Sequence, residues 1–578
     1  MNFIKFITFF KGEKMNGKFD LTDLSAMREY PSAETKTGTY FGSKDAQSGV
    51  ISFKGIPFAK SPTGELRWLP PQELDESSEG HAALKFGDVP LQKLNNEDKA
   101  QGYKASEDIL KLNVWTSDLN IANKPVMMYI HGGSFTSESA SRPEYSGQYI
   151  VEQNPDIVVV TIDYRVNTLG FANLKNVPGY SDKYSSAGYL GILDDIAALK
   201  WIKENIASFG GDPNNVTIFG ESAGGGSVAD LLSSPAASGL FHKAIAQSGG
   251  LNLTYTQEQY ESLDQIGEIM KATGAQNIND LLALNEEQIV KAWDIETQKV
   301  GPEGLSNIGN IQGLPLRGEG SILPADPYAA LEAGVNSNVP LLIGTTGDEW
   351  RYWNYALNGW IENQDITFGV YADITANKVE SVKKTISPEN MQYLDAFLAS
   401  LNIKQDAHSL KYPGIWENTE LANEIAFRMP AVATANAHSN GGGDTYMYYF
   451  DKKSDSNDWI GAAHGSELSY VFYNLDHVAV ETGTIDPTLA KQMVTMWTNF
   501  ARSGNPSIPE LAWTPYTQQN GATMVVGPTG ELSMQNNFKA TQNELLEKSG
   551  IELKYFSLES SEQAGDIDLI GFDTPLTF

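Results

Sequence analysis

The sequence predicts an α/β protein: a central, mostly parallel sheet covered by helices on both faces, with large helical insertions. Two observations carry this. Short apolar runs rich in β-branched residues suit strands buried on both faces, and a helical apolar periodicity stands between them. The first run, Pro125–Ile130, ends in His131-Gly132-Gly133. The second, Asp156–Ile162, holds three consecutive valines, Val158 to Val160. A helix follows, because Ile192, Ile196, Leu199, Ile202 and Ile206 recur at steps of 4, 3, 3 and 4 and so share one face. Gly210-Gly211-Asp212-Pro213 is read as the turn that ends it. The third strand, Val216–Phe219, runs straight into Gly220-Glu221-Ser222-Ala223-Gly224 and a small-residue helix. Lys243–Gln247 and Val339–Ile343 read as later strands.

Segments near 255–310 and 352–425 read as helical insertions. Beside the second, Trp350, Trp353, Leu357 and Trp360 recur at steps of 3, 4 and 3, a helical face suited to core or cavity wall rather than to a cofactor. No repeat of fixed period appears, so solenoids and propellers drop out.

Composition narrows the function classes. A net charge of −31 disfavours nucleic-acid partners and anionic lipid, which a basic surface would have to attract. The absence of cysteine removes disulfide scaffolds, thiolate metal sites and a cysteine nucleophile. The apolar run Phe3 to Phe10 is interrupted by Lys5 and falls far short of the about 20 residues that span a bilayer. Lys11-Gly12-Glu13-Lys14 offers no signal-cleavage site, and Met15 is an alternative start. The expectation is a cytoplasmic protein with no membrane insertion, secretion being the alternative.

The chemistry-bearing residues cluster after the strands. Gly220-Glu221-Ser222-Ala223-Gly224 matches the G-x-S-x-G nucleophile elbow, in which a tight strand-to-helix turn exposes a serine hydroxyl. Five residues alone are a weak signal; a β-branched strand before and a small-residue helix after make it specific. Upstream, Gly132 and Gly133 can turn their N–H groups into a cavity without side-chain obstruction, as stabilisation of a developing oxyanion requires. The N–H of Ala223 is the expected third donor.

With these motifs in place the chain resembles the type-B carboxylesterases, the group of para-nitrobenzyl esterases, cholinesterases and non-catalytic neuroligins. Further stretches carry the resemblance: Gly55-Ile-Pro-Phe-Ala59 to Leu66-Arg67-Trp68, Ser106-Glu107-Asp108 to Leu112-Asn113-Val114-Trp115, Phe209–Pro213, Asn505-Pro506 and Trp513–Tyr516. It covers about residues 37–530 and implies an α/β-hydrolase fold. The residues themselves read as an N-terminal extension over 1–30 and an acidic tail over 546–578, around one catalytic domain over 31–545.

The resemblance also implies the partners of Ser222. The family's acid lies in a Gly-x-x-x-Asp-Glu stretch, here Gly344 to Glu349, so Glu349 carries over, with Asp348 the alternative if the register slips by one. Its base lies in a His-Gly-x-Glu segment, here His464-Gly465-Ser466-Glu467. The chain order Ser222, Glu349, His464 is that of the hydrolases. His242 and His438 are read as packing or capping residues, and His81, His408 and His477 lack a comparable motif. No metal or nucleotide motif is present, so no cofactor is expected, and Asp451, Asp455 and Asp458 read as a solvated turn. Arg67 and Glu107 stand where the family has a buried ion pair.

Four departures stand out, of which the change at Asp163 has no evident chemical consequence. Ile109 replaces the family's cysteine. Lys99 stands where cholinesterases carry a cation-binding tryptophan, which argues against choline specificity. Trp350 follows Glu349 where glycine is commoner, either narrowing the pocket or only packing. Asp163 replaces the more frequent asparagine. The expectation is a serine carboxylic-ester hydrolase acting on small to medium uncharged esters through a covalent acyl-enzyme. The rival is a non-catalytic adhesion or scaffold protein on the same fold; a nearer alternative is cleavage of lactones, carbamates or amides by the same site.

Overall fold

The structure, a computed structural model, describes residues 30–551 except 263, 299–312, 354–370, 373–374, 377–378, 381–382, 402, 404–405, 457–458 and 477–482. Its frame is an 11-stranded sheet. In chain order the strands are β1 (Ser43–Lys44), β2 (Ile51–Pro57), β3 (Lys111–Thr116), β4 (Lys124–Ile130), β5 (Val158–Ile162), β6 (Gly211–Glu221), β7 (Lys243–Gln247), β8 (Leu341–Thr346), β9 (Thr445–Phe450), β10 (Thr523–Val526) and β11 (Leu532–Gln535). Across the sheet they lie in the order β1-β2-β3-β5-β4-β6-β7-β8-β9-β10-β11. Every neighbouring pair from β5 to β10 is parallel. Antiparallel pairs close both edges, β1 to β3 on one side and β11 on the other.

Side chains that alternate along these strands feed two separate cores. Val126, Met128 and Ile130 of β4 enter one apolar cluster, Met127 and Tyr129 the other. In β5, Val158, Val160 and Ile162 part from Val159 in the same way. Burial on both faces is why these strands read as continuous apolar runs rather than as an alternation. Helix α1 (Leu190–Asn205) fills the first cluster with Ile192, Ile196, Leu199 and Ile202, and α2 (Ala223–Ser233) adds Val228 and Leu231. The second cluster takes Met493, Trp497 and Phe500 from the helix Pro487–Ser503. Each fully buried Leu, Ile, Met or Phe contributes about 1.5–3 kcal/mol.

Two boundaries differ from the expected ones. β6 begins at Gly211, not Val216, because Gly211 pairs with Lys124 across an irregularity in register. Only Gly210, with φ +84, acts as the helix stop. β8 starts after Pro340, which lacks an N–H to donate but accepts from Ala244 N at 3.0 Å, and it continues to Thr346.

Helices occupy both expected insertions: Gln257–Ser262, Gln265–Thr273, Ile278–Leu282 and Glu286–Gln298 in the first, Met391–Ser400, Ala407–Lys411 and α3 (Ile415–Asn423) in the second. Leu357 and Trp360 lie outside the described residues. So do residues 1–29 and 552–578 of the expected extension and tail. The helix Ala540–Ser549 runs across residue 546 and buries Leu546 against Leu394, Phe397 and Leu421. Among the described residues no helix is long and apolar enough to cross a membrane.

Because the central strands are parallel, their carboxyl ends share one edge of the sheet. His131-Gly132-Gly133 follows β4, Ser222 follows β6, Ser248 follows β7 and Glu349 lies just past β8. Sites of open α/β sheets form at this edge.

Candidate active site

Ser222 sits between the end of β6 and the first turn of α2 with φ +59 and ψ −123, a conformation that costs a non-glycine residue about 1–3 kcal/mol. Neighbouring backbone holds it there. Ser222 N donates to Gln247 O at 2.9 Å, and Ser222 O accepts from Gly226 N at 2.9 Å. The turn also needs Gly224, since a Cβ on that residue would lie 2.0 Å from Ile130 O. Ser222 is half-buried between the buried Glu221 and Ala223, so the turn leaves this one residue partly accessible.

The loop after β4 comes close to this turn. A Cβ on Gly132 would lie 2.8 Å from Glu221 O and 3.0 Å from Ser222 Cβ. Gly133 follows with φ +89. Ala223 opens α2, so its N–H has no intrahelical acceptor. Gly132 and Ala223 thus stand beside Ser222, and Gly133 follows Gly132 in the loop, turned toward Ser137 and Glu138.

Glu349 lies in the turn beyond β8 and is buried. His464 Nδ1 donates to Glu349 Oε2 at 2.5 Å. The other carboxylate oxygen, Oε1, accepts from Ser248 Oγ at 2.6 Å and from Thr346 N at 2.7 Å. Asp348, the alternative acid, faces elsewhere: its Oδ2 accepts from Lys453 Nζ at 2.5 Å and Ala462 N at 2.8 Å. A one-residue slip is therefore a change of partner, and the imidazole belongs to Glu349.

The far side of the ring meets a residue that the motif left as "x". His464 Nε2 lies 3.2 Å from Glu221 Oε1. No hydrogen bond joins Ser222 Oγ to His464, although Ser222 and Glu221 are adjacent. Such bonds are often long or misaligned without substrate and tighten when it binds. Glu467 lies nearby, its Oε1 accepting from Gln247 Nε2 at 3.1 Å and Tyr448 Oη at 3.2 Å. Burial pushes His464 down, but Glu221, Glu349 and Glu467 outweigh it and hold the imidazole above its ordinary value. Burial raises Glu221 and Glu467 in turn. A charged imidazole is stabilised here from both ends, as proton transfer from a hydroxyl requires.

Glu221, Ser248 and Glu467 are the site residues that motif reading missed. Ser248 could have been found from its place: it directly follows the strand Lys243–Gln247, whose end neighbours the elbow.

Aromatic rings wall the His464 imidazole. Phe427, in a π-helical turn over Glu424–Arg428, lies 4.7 Å from the imidazole between ring centres, and Tyr352 lies at 5.7 Å. Trp350 is buried and packs, with Nε1 donating to Thr375 Oγ1 at 3.0 Å. Asp163 is buried beside His131, with Oδ1 3.7 Å from Nε2, and accepts from Ala140 N at 2.8 Å. Burial pushes it up to about 7, so the change from asparagine puts a titratable group behind the glycine loop.

Other expectations resolve simply. His438 is buried with Nδ1 bonded to Thr445 Oγ1 at 2.8 Å, and His242 Nδ1 accepts from Val216 N at 3.1 Å, both structural contacts. His81 packs on Tyr40 and His408 on Trp416; His477 lies outside the described residues. Arg67 and Glu107 form a buried bidentate pair at 2.7 and 2.5 Å. Asp451 is not a solvated turn residue, since its Oδ1 accepts from Lys453 Nζ at 2.6 Å; Asp458 lies outside the described residues. Among the described residues no cluster of His, Asp and Glu is placed to hold a metal ion.

Similarity to known proteins agrees with this geometry. A model of the carboxylesterase family matches residues 29–546. The para-nitrobenzyl esterase of Bacillus subtilis is 32% identical over 509 residues, covering 86% of this chain and 95% of that protein. The acetylcholinesterase of Bungarus fasciatus is 30% identical over 512 residues, 84% of this chain and 80% of that one. A crystal structure of a Geobacillus stearothermophilus carboxylesterase superposes with a TM-score of 0.73 at 32% identity, over 89% of this chain and 99% of that chain. With its α/β-hydrolase sheet and elbow serine, the chain belongs to the carboxylesterase family and is a serine ester hydrolase.

Proposed function

We propose that Ser222, His464 and Glu349 are the nucleophile, base and acid of a two-step acyl transfer. The observation that carries this is the 2.5 Å bond between His464 Nδ1 and Glu349 Oε2 at the sheet edge where the elbow serine stands. Ser222 Oγ attacks the ester carbonyl while His464 Nε2 takes its proton. Glu349 fixes the tautomer and stabilises the imidazolium. The carbonyl oxygen becomes an oxyanion held by the N–H groups of Gly132, Gly133 and Ala223. His464 returns the proton to the alkoxide, the alcohol leaves, and an acyl-enzyme remains on Ser222. Water then repeats the sequence and releases the acid.

The same surroundings favour uncharged esters. Glu221, Glu349 and Glu467 stand around the base, so an anionic acyl or alcohol group would meet repulsion in a low-dielectric site. Phe427 and Tyr352 offer apolar walls to groups of small to medium size.

The test is turnover of p-nitrophenyl acetate and butyrate by wild type and Ser222→Ala, with fluorophosphonate labelling of Ser222. Turnover abolished with the hydroxyl, together with a stoichiometric label, supports the reading. Equal rates in the two proteins would end it, and a folded, unlabelled wild type would favour the scaffold role.

A further inference from the structure

The bond between Glu349 and His464 joins two loops, and its geometry depends on what holds those loops together. One segment follows β9 and is described over residues 451–456 and 459–464, ending at His464; the other is the turn Gly347–Arg351 beyond β8. The carboxylate next to the acid spans the gap. Asp348 N donates to Ala462 O at 2.8 Å and Ala462 N donates back to Asp348 Oδ2 at 2.8 Å, two residues before His464. Lys453 Nζ bonds the same oxygen at 2.5 Å, and Arg351 Nη2 lies 3.0 Å from Oδ1. Arg351 also donates from Nη1 to Trp459 O at 2.9 Å, in the histidine loop.

The arrangement is built for close approach. Gly461 has φ +63, and a Cβ there would lie 2.0 Å from Asp348 Oδ2. Lys453 is anchored in its turn, bonding Asp451 Oδ1 at 2.6 Å and donating its N–H to Pro528 O at 3.1 Å. The Arg351 guanidinium lies 4.8 Å from the Trp416 ring centre, and its Nη2 is 3.9 Å from Glu420 Oε1, so α3 of the second insertion joins the same cluster. Burial pushes Asp348 up, but Arg351 and Lys453 outweigh it and keep the carboxylate ionised. Adjacent carboxylates thus divide the work, Glu349 on the imidazole and Asp348 on the backbone that carries it.

We propose that Asp348, Lys453 and Arg351 are positioning residues that set the Glu349–His464 bond by clamping the histidine loop to the acid turn. This rests on the triad reading above. Slack between the two loops loosens the imidazole without touching substrate, so kcat falls and KM does not. The weakened bond to Glu349 also makes the imidazolium less stable.

The experiment compares wild type, Lys453→Met, Lys453→Arg and Ser222→Ala on p-nitrophenyl butyrate, with kcat taken per folded molecule from circular dichroism. Lys453→Met is expected to lose about 10- to 100-fold in kcat with KM within about twofold, as a misplaced catalytic group does. The acidic limb of its kcat profile is expected to move to lower pH, and Lys453→Arg to restore both. Should Lys453→Met fail to fold, Arg351→Met carries the same expectation. A folded variant with wild-type kcat and an unmoved limb overturns the clamp; so does a loss that Lys453→Arg leaves unrepaired. Failure of the triad reading is distinguishable, because wild type and Ser222→Ala would then share one rate.

Discussion

His464 Nε2 lies 3.2 Å from Glu221 Oε1, so the ring nitrogen opposite the Glu349 bond also faces a buried carboxylate. The base needs its neutral form to accept a proton. Neighbouring carboxylates hold the imidazole above its ordinary value, so the neutral form appears only at higher pH and kcat/KM rises along an acidic limb above the ordinary histidine value of about 6.5. Glu221→Gln removes one charge and keeps the shape. The limb is expected to fall by about 1–3 units, the usual effect of a close opposite charge, although its midpoint belongs to the whole cluster. A kcat/KM profile measures this. A limb that stays in place removes Glu221 from the protonation of the site.

Ser248 Oγ donates to Glu349 Oε1 at 2.6 Å, and both side chains are buried. Ser248→Ala leaves that oxygen with Thr346 N alone. Hydrogen bonds to charged groups contribute about 1.5–3 kcal/mol, which as transition-state stabilisation is about 10- to 100-fold in kcat. Steady-state kinetics should show that loss with little change in KM. An unchanged kcat would reduce Ser248 to packing.

The strands were legible because residues such as Val158, Val159 and Val160 are buried on both faces, a pattern local to a few positions. Ser222 and Gly132 were legible because tight turns restrict which residues fit them. What stayed hidden depends on tertiary assembly. The motif register picked Glu349 over Asp348, but the physical reason lies in the direction of each side chain, toward His464 or toward Ala462. Glu221 occupies a variable position of the elbow, and its contact with His464 joins residues 243 positions apart in number, 221 and 464. Asp451 looked solvated because its loop is rich in charge, yet the loop folds back onto the turn after β8 and Lys453 meets it there. The start of β6 was hidden by Asp212-Pro213-Asn214-Asn215, turn-forming residues that the register irregularity absorbs.

Gly132→Ala tests the glycine loop. The new Cβ would meet Glu221 O at 2.8 Å and Ser222 Cβ at 3.0 Å, so the loop and the elbow must separate. Moving one donor out of place costs about 2.7–4 kcal/mol of transition-state stabilisation, or about 10²- to 10³-fold in kcat. Turnover of p-nitrophenyl acetate reads the rate, and circular dichroism checks that the fold persists. A variant within about threefold of wild type would place the oxyanion elsewhere.

Arg67 and Glu107 give the contrasting expectation. Both are buried, and Arg67 also donates from Nη1 to Leu281 O at 2.7 Å and from Nη2 to Leu284 O at 2.8 Å, tying the first insertion to the body. Arg67→Met leaves Glu107 as an uncompensated buried charge and removes the guanidinium donor from three carbonyls, those of Leu281, Leu282 and Leu284. The cost expected from breaking such a pair is about 3–5 kcal/mol, read as a lower denaturation midpoint. None of these groups touches Ser222 or His464, so kcat per folded molecule should stay within about twofold. The two readouts must therefore separate: a variant that keeps its stability but loses turnover would show that Arg67 shapes the site itself, through the insertion it holds.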